Sequence, residues 1–506
     1  MANDPNTIQY VIQEDGFWYI ASKDRTPGVP EITVSAKGIA NGLSTEYNDG
    51  FDFGPDSYNP SITSGVPLTQ TSGILEAVQY SYGSLDAPNV PIKLTAGQFV
   101  ISPDAKLYQI NKSAPFTGAP EYALIPVPTS ATGNPLQNIV IHGSGGLVNA
   151  GGDQSFTDVT DLYGMTVIDV SQVDAPSGET VMTFGWDRSV NTSGNNSIDI
   201  RDFVIYQATP QASGDNIVGG CDFASSYNSI ALNIGIYSPN NFLKTVFPSS
   251  DEIGFIIDGY QGNLSWVDGL SVYCNYIGAI LNAHTHVGTY VSQSNYYGLI
   301  PNSHHGVDMV RYDTQGCIYN IYQTTSLYGS VRIFLIDGED YSGVNSSFNQ
   351  LVADVYVESG SYGNYPQIEI ENFHIEYSSS SPNPRLPIVE NNGTGYYVTI
   401  KHIESQPSST VGTTAGTVQP YVIEYGTNYK KMVFQFNGYE NDSTTDQTID
   451  YPANGAPHDN SLNFTSTPVI SGNATGLTIK ASTTGITITA PDSTTTYSGI
   501  VIVEGY

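Results

Sequence analysis

The 506-residue sequence predicts an all-β protein, a parallel β-solenoid in which each coil stacks on the one before it. First, Val, Ile, Tyr and Thr, which favour strands, are abundant, and Gly, Pro and Asn separate them into short runs. Second, strand-like segments follow one another beyond residue 135 with no helix-like segment between them. Third, two sequence patterns recur, one of them about every 20 residues, which is typical of solenoid coils.

One helix-like segment precedes these strands. It reads I-L-E-A-V-Q-Y-S-Y at 74–82, with apolar residues at helical spacing and Ser72 as the predicted N-cap. A polar connector rich in Pro, Gly, Ser and Thr begins near residue 404. We therefore expect an attachment or cap segment at 1–60, the solenoid at 61–405, and a small C-terminal β-sheet domain at 406–506.

The first repeat is a six-residue pattern with β-branched residues at both ends and Asp, Asn or Gly in third place. It reads I-R-D-F-V-I at 200–205, V-D-G-L-S-V at 267–272, V-A-D-V-Y-V at 352–357 and I-E-N-F-H-I at 370–375, with near matches from Ala231 and Ile318. Such a pattern predicts equivalent strands of successive coils.

The second repeat is aligned on glycine. It reads G-F-I-I-D-G-Y from 254, G-A-I-L-N-A-H from 278, G-L-I-P-N-S-H from 298 and G-C-I-Y-N-I-Y from 316. Four residues after the glycine stand Asp258, Asn282, Asn302 and Asn320. Asn and Asp tolerate left-handed backbone and bond to neighbouring peptide groups, so this column predicts a structural ladder at a corner of the coil.

Six residues after the glycine stand Tyr260, His284, His304 and Tyr322. Strands of adjacent coils lie about 4.8 Å apart, so these rings are predicted to stack, with His284 against His304. The stack has three interpretations: a stabilising ladder, a glycan-binding surface that includes the nearby His286 and His305, or a metal site. A metal needs imidazoles that converge from different directions, and the spacing here is not that of a ligand set, so we predict no metal and no cofactor.

Composition excludes some partners. Acidic residues outnumber basic ones 48 to 16, giving a formal net charge of −32, which argues against nucleic acid as a ligand. No apolar run approaches the length needed to span a membrane. The first twenty residues lack the basic and apolar regions of a secretory signal peptide. A low-charge, extracellular type of composition without a signal predicts a virion surface protein, which leaves the cell with the particle.

Three segments carry a resemblance to a known family. The helix at 74–82, the segment I-K-L-T-A-G-Q-F-V-I-S at 92–102 and L-Q-N-I-V-I-H-G-S-G-G-L-V at 136–148 resemble the start of pectate-lyase-like right-handed parallel β-helices. Viral tailspikes share this opening, and the low-charge, Tyr-, Asn- and Thr-rich style is most similar to proteins of archaeal viruses from hot acid. The resemblance implies right-handed winding, an N-terminal capping helix, a homotrimer and attachment to other virion proteins through the N-terminal segment.

The resemblance does not carry lyase chemistry into this chain. Such lyases use clustered Asp ligands for calcium and a catalytic Arg or Lys, and no basic residue between 200 and 400 lies in a matching motif. A glycosidase would instead need two carboxylates about 5–10 Å apart. The candidates are Glu252, Asp258, Asp337, Glu339 and Asp340, and a further pair is Glu358 with Glu369 on neighbouring coils.

Three functions remain open from the sequence. The first is a virion surface or tail protein that adheres to host-surface glycans, extracellular and without membrane insertion. The second is a polysaccharide hydrolase or lyase on the same β-helix. The third is an architectural capsid component without a ligand.

Overall fold

The computed structural model divides the chain into two compact units, Met1–Tyr296 and Tyr297–Tyr506, and each is described by itself. The residues that the structure describes are 11–12, 18–19, 31–36, 53–55, 69–83, 89–110, 122–128, 137–146, 162, 164–173, 175–176, 179–187, 196–207, 218–226, 228–238, 253–259, 265–273, 275–282, 284–302, 306–324, 330–340, 351–362, 367–377, 389–405, 417–426, 429–440, 446–450, 464–474, 476–492 and 494–506.

The first unit contains one helix, α1 (Ile74–Tyr82), among its described residues, and seventeen strands. The strands are β1 (Val11–Ile12), β2 (Trp18–Tyr19), β3 (Ile32–Val34), β4 (Ile92–Leu94), β5 (Gly97–Val100), β6 (Tyr108–Gln109), β7 (Tyr122–Pro128), β8 (Gln137–His142), β9 (Thr166–Asp169), β10 (Val181–Asp187), β11 (Asn196–Tyr206), β12 (Gly219–Ser226), β13 (Ile230–Tyr237), β14 (Ile253–Gly259), β15 (Ser265–Tyr273), β16 (Ile277–Asn282) and β17 (Thr285–Gln293).

These strands alternate between two parallel sheets. Strands β7, β10, β12, β14 and β16 pair in that order in one sheet. Strands β8, β11, β13, β15 and β17 pair in that order in the other. Each passage of the chain therefore adds one strand to each sheet, which is compatible with the predicted β-solenoid. The core lies between the sheets, where Phe184 of β10 and Phe203 of β11 are fully buried with ring centroids 5.6 Å apart.

The second unit continues the same alternation before its strand pairing changes. Its strands are β18 (Tyr297–Asn302), β19 (Val307–Gln315), β20 (Tyr319–Gln323), β21 (Val331–Asp340), β22 (Ala353–Ser361), β23 (Gln367–Tyr377), β24 (Val389–Thr394), β25 (Tyr397–Ser405), β26 (Thr417–Gly426), β27 (Tyr429–Glu440), β28 (Gln447–Asp450), β29 (Val469–Ala474), β30 (Thr478–Ala481), β31 (Gly485–Thr489) and β32 (Thr496–Gly505). One parallel sheet has the order β18-β20-β22-β24, and the other has the order β19-β21-β23-β25.

Beyond Ser405 the pairing becomes antiparallel, in the order β25-β26-β27-β32-β29, with a separate sheet β28-β31-β30. A change of sheet type thus occurs near the predicted boundary at residue 405. The three-part division at residues 60 and 405 itself stays a prediction. Within the described residues, no helix has the length and apolar character that a membrane crossing requires.

Helix α1 lies where the apolar spacing placed it, but its predicted N-cap was wrong. The N-cap position is Gly73, which adopts a left-handed conformation with φ 86°. Ser72 instead donates its hydroxyl to the carbonyl oxygen of Val100 at 2.6 Å. The side chain of Ser72 thus ties the start of the helix to strand β5 rather than to its own first turn.

The six-residue pattern has a backbone cause. Ile200, Ala231 and Val267 are register partners on β11, β13 and β15, so the pattern aligns three successive coils. Its third position is Asp202, Asn233 and Gly269, whose φ angles are 60°, 54° and 67°. Left-handed backbone inside a strand restricts this position to Asp, Asn or Gly. The Asn233 side-chain amide also donates to the Asp202 carboxylate at 2.7 Å.

The match at 352–357 belongs elsewhere. It lies mostly in β22, which is in the sheet of β18, β20 and β24, whereas the match at 370–375 lies in β23 of the other sheet. Asp354, at its third position, is fully buried and accepts a hydrogen bond from the Asn320 side chain at 2.7 Å. At 352–357 the Asp in third place therefore reflects a buried polar contact and not a left-handed backbone.

The glycine repeat is in register at its first step. Ile253 pairs with Ile277 and Phe255 with Ala279, so Gly254 lies opposite Gly278. The next step has an offset of 20 residues, and the asparagines that lie three residues before each glycine have the same offset. The backbone N–H of Asn275 donates to the Asn295 side chain at 2.8 Å. Both asparagines are fully buried, and this pair forms a ladder of its own.

The last step of the glycine repeat was wrong. Tyr297 pairs with Tyr319 and Leu299 with Ile321, so Asn320 lies opposite Gly298 and not opposite Asn302. The reason is that Gly316 lies after the end of β19 with φ 60°, whereas Gly298 lies inside a strand. Asn320 is an interior residue bonded to Thr314 and Asp354 rather than a member of a corner ladder.

Replacing Asn295 by alanine is expected to destabilise the fold by about 2–3 kcal/mol. The change removes the amide that donates to the Val272 carbonyl oxygen and the Ser292 hydroxyl, and it leaves the buried N–H of Asn275 without its acceptor. Urea unfolding followed by circular dichroism measures the loss. The exposed Asn138, which accepts from Ser197, provides the control: Asn138→Ala should shift the midpoint far less.

Gly254→Ala is expected to lower the free energy of unfolding by about 1–3 kcal/mol, because neighbouring atoms already fill the space that the added methyl group needs. A Cβ there would lie 2.4 Å from the Val272 side chain and 2.6 Å from the Gly278 carbonyl oxygen. At Gly145 the nearest atom would be at 3.6 Å, so Gly145→Ala is the matched control. Equal thermal midpoints for the two variants would contradict close packing at the repeat glycine.

Candidate functional site

Four tyrosines and two glutamates of the second unit form one surface, which we call the tyrosine–glutamate surface. Its members are Tyr297 of β18, Tyr319 and Tyr322 of β20, Tyr356 and Glu358 of β22, and Glu390 of β24. All six side chains are half-buried. Parallel pairing in register brings them together, because equivalent residues of adjacent strands become neighbours.

The register explains the order of the groups. Tyr297 pairs with Tyr319, and Tyr322 pairs with Tyr356, which in turn pairs with Glu390. On β22, Tyr356 and Glu358 alternate with the buried Val355 and Val357, so both point to the outer face. The surface therefore presents aromatic rings that end at a carboxylate on the last strand.

The rings contact one another closely. Tyr322 and Tyr356 are stacked, with centroids 5.1 Å apart and an interplanar angle of 7°. Tyr297 lies 4.2 Å from Tyr322 in a tilted arrangement, and Tyr319 packs edge-on against Tyr322 at 5.1 Å and against Tyr356 at 5.3 Å. Offset and edge contacts of this kind hold aromatic side chains in fixed positions.

Burial and the neighbouring carboxylates raise the pKa of two of these tyrosines. The Tyr322 hydroxyl donates to the Glu358 carboxylate at 2.7 Å. Burial, followed by this hydrogen bond, raises the pKa of Tyr322 well above its usual range. Burial and the charges of Glu390 and Glu358 also raise the pKa of Tyr356. The surface thus combines aromatic rings with adjacent carboxylates.

Only Tyr322 of this surface was among the predicted glycan-binding residues. Its predicted neighbour in the ring column, His304, lies outside the described residues, and the observed stacking partner of Tyr322 is Tyr356. The sequence offered one signal for Tyr356, since it occupies the fifth place of V-A-D-V-Y-V. The role of Glu358 was missed because it was paired with Glu369, which lies in β23 of the other sheet.

A smaller aromatic site lies in the first unit. Trp266 of β15 is 51% exposed and pairs in register with His286 of β17, with ring centroids 6.0 Å apart. His284 is half-buried, has φ 55°, and its carbonyl oxygen accepts from the backbone N–H of Ser265. His286 is therefore part of an exposed ring pair, while His284 is a turn residue.

Several predicted residues are not described in enough detail to place. Tyr260, Glu252, His304 and His305 lie outside the described residues, so the predicted contact between His284 and His304 stays a prediction. For five others the structure gives a backbone position within a strand and no side-chain surroundings; these are Asp258, Asn282, Asn302, Glu339 and Asp340.

Among Glu252, Asp258, Asp337, Glu339 and Asp340, Asp337 alone has a described side chain. It accepts a hydrogen bond from Arg311 at 2.8 Å, and His374 Nδ1 lies 3.0 Å from its other oxygen. Arg311 also lies 3.4 Å from Asp313, the register partner of Asp337. These contacts link strands β19, β21 and β23 through ion pairs and hydrogen bonds across the outer face of the sheet.

A second ion network crosses β21, β23 and β25. Lys401 bonds to Glu369 and, at 2.7 Å, to Glu371, which also accepts from Arg332 at 2.9 Å. The hydrogen bonds from Lys401 and Arg332 lower the pKa of Glu371 to about 2. Glu369 is thus part of a charge network on β23, whereas Glu358 lies on β22 of the other sheet.

Among the residues with described positions, no three His, Cys, Asp or Glu side chains converge as a metal site would require. Comparison of the chain with protein-family models, with curated proteins and with solved structures finds no match. Arguments about function therefore depend on the chain's own surfaces.

The Glu371 network predicts a pH dependence of stability. The folded-state pKa of Glu371 lies below its ordinary value of 4.5, so its contribution is present above that value and is lost as the pH falls toward about 2. We expect Glu371→Gln to lower the urea midpoint at about pH 6 and to leave it nearly unchanged at about pH 2.

Glu504, whose contact to Lys431 is 3.8 Å, provides the control carboxylate. Glu504→Gln should change the midpoint at about pH 6 less than Glu371→Gln does, because a long surface contact contributes little. A loss in Glu371→Gln that is the same at both pH values would contradict the network.

Proposed function

We propose that the protein is a virion surface protein whose solenoid binds host-surface glycans. The observation that supports the glycan part is the tyrosine–glutamate surface, in which Tyr322 stacks on Tyr356 and bonds to Glu358. Aromatic faces pack against the C–H faces of sugars, and carboxylates accept hydrogen bonds from sugar hydroxyls. The surface offers both kinds of contact on adjacent strands.

The position of the rings favours binding over a purely architectural role. The four tyrosines are half-buried, whereas the rings that fill the core, such as Phe184 and Phe203, are fully buried. Because Tyr rings have few rotatable bonds, little conformational entropy is lost when they contact a ligand. A parallel sheet that repeats such contacts suits an extended chain of sugars.

The virion part of the proposal rests on the sequence. It includes the resemblance of 74–148 to β-helical viral proteins and the net charge of −32. With it come right-handed winding, a capping role for the helix at 74–82, a homotrimer and attachment through residues 1–60. The C-terminal antiparallel sheets would then serve contacts between subunits or with the receptor.

The glycan proposal is tested with single substitutions in the full chain. We expect Tyr322→Ala and Tyr356→Ala each to weaken binding to host-envelope polysaccharide by about ten-fold or more, the effect of losing one aromatic contact of about 1.5 kcal/mol. Retention on immobilised polysaccharide measures it. Tyr397→Ala, at a tyrosine that is 47% exposed on the other sheet, is the matched control and should bind normally.

Equal retention of all three variants and the unmodified protein would overturn the assignment of the site. Sizing the polysaccharide after incubation separates adhesion from cleavage. Adhesion leaves the chain length unchanged, whereas shortening that Asp337→Asn abolishes would establish the hydrolase or lyase alternative.

A further inference from the structure

We propose that the glycan recognised by the tyrosine–glutamate surface is an amino sugar with a free, protonated amine. The inference rests on the proposed function, since it names the class of glycan that the surface takes. It follows from the placement of two carboxylates directly beside stacked rings, together with the charge of the strands that carry them.

The two carboxylates border the same ring. Glu390 is the register partner of Tyr356, and Glu358 follows Tyr356 by two residues on the same face of β22. Glu358 is also within hydrogen-bond distance of the Tyr322 hydroxyl, at 2.7 Å. Tyr322 covers one face of Tyr356, so a group that rests on the other face, toward β24, has carboxylate oxygens at its edge.

Both kinds of group attract a cation. The face of a tyrosine ring is electronegative and attracts an ammonium within about 6 Å of its centroid. A carboxylate forms charge-assisted hydrogen bonds with the same ammonium, and these are roughly twice as strong as neutral ones. The C–H face of a sugar ring can lie on the outer face of Tyr356 while its amine reaches Glu358 or Glu390.

The surroundings disfavour an anionic sugar. The sequences of strands β18, β20, β22 and β24 contain no Lys, Arg or His, but they contain Asp354, Glu358 and Glu390. A uronic acid or sulfated sugar would thus meet carboxylates without a basic partner on these strands. The net charge of −32 adds a long-range repulsion of anions and an attraction of cations.

A neutral acetylated sugar is the informative comparison. It keeps the ring faces and hydroxyls, so it can still contact the tyrosines, but it lacks the charge that Glu358 and Glu390 would pair with. The difference in affinity between the free amine and its acetylated form therefore isolates the contribution of the carboxylates.

The test uses calorimetry with the full-length protein, a glucosamine hexamer and an N-acetylglucosamine hexamer at about pH 6, where glutamate is ionised. We expect the unmodified protein to bind the glucosamine hexamer about ten-fold more tightly, the effect of about one charge-assisted hydrogen bond. In Glu358→Gln this preference should fall to about three-fold or less, while binding of the acetylated hexamer stays unchanged.

Asp104→Asn controls for overall charge. Asp104 is an exposed residue of the first unit, and its replacement changes the net charge by the same amount as Glu358→Gln. The preference for the free amine should persist in this variant. A loss of preference in Asp104→Asn as large as in Glu358→Gln would overturn the assignment to Glu358.

The outcomes separate the inference from the proposed function. Equal binding of both hexamers by the unmodified protein, with loss of both in Tyr322→Ala, would overturn the amino-sugar inference and leave glycan adhesion in place. Unchanged preference in Glu358→Gln combined with Glu390→Gln would likewise overturn it. Failure of the protein to bind either hexamer or host-envelope polysaccharide would overturn both.

Discussion

The structure depends on one constraint: parallel strands of successive coils bond in register. Equivalent side chains of adjacent strands therefore line up as a column. Asp202, Asn233 and Gly269 share left-handed backbone for this reason, and Asn275 bonds to Asn295 across one coil. The side chains in one column must fit one another in size and in hydrogen bonding, because adjacent strands lie about 4.8 Å apart. The tyrosine–glutamate surface contains two such columns, Tyr297 with Tyr319, and Tyr322 with Tyr356 and Glu390.

Buried polar residues of the parallel sheets carry a further constraint. Thr314, Asn320 and Asp354 are buried and bond to one another in sequence, with the Tyr312 hydroxyl donating to the Asn320 carbonyl oxygen. Burial of such groups without partners would be costly, so each interior polar residue fixes the register of the strands that satisfy it. The apolar core supplies stability, and the polar columns select the alignment.

The all-β class, the succession of short strands and the first steps of both repeats could be predicted from the sequence. These were predictable because the backbone restricts the residue types that fit: left-handed conformation does so at Gly269, and close packing does so at Gly254. The site was predicted only through Tyr322. The partners of Tyr322 could not be found because Gly316, a turn residue, has the same sequence surroundings as the strand glycines. Aligning on Gly316 displaced the predicted register by four residues, since Gly298 lies opposite Asn320.

Coil length is the feature that the register leaves free. Asp202 and Asn233 bond to each other although 31 residues of chain separate them, whereas Asn275 and Asn295 bond across only 20. The sheets therefore tolerate connections of different length between paired strands, because lengthening a loop adds little to the entropic cost of closing it. For the same reason the solenoid can serve as a display scaffold, in which foreign peptides enter the connections while the strand columns keep their order.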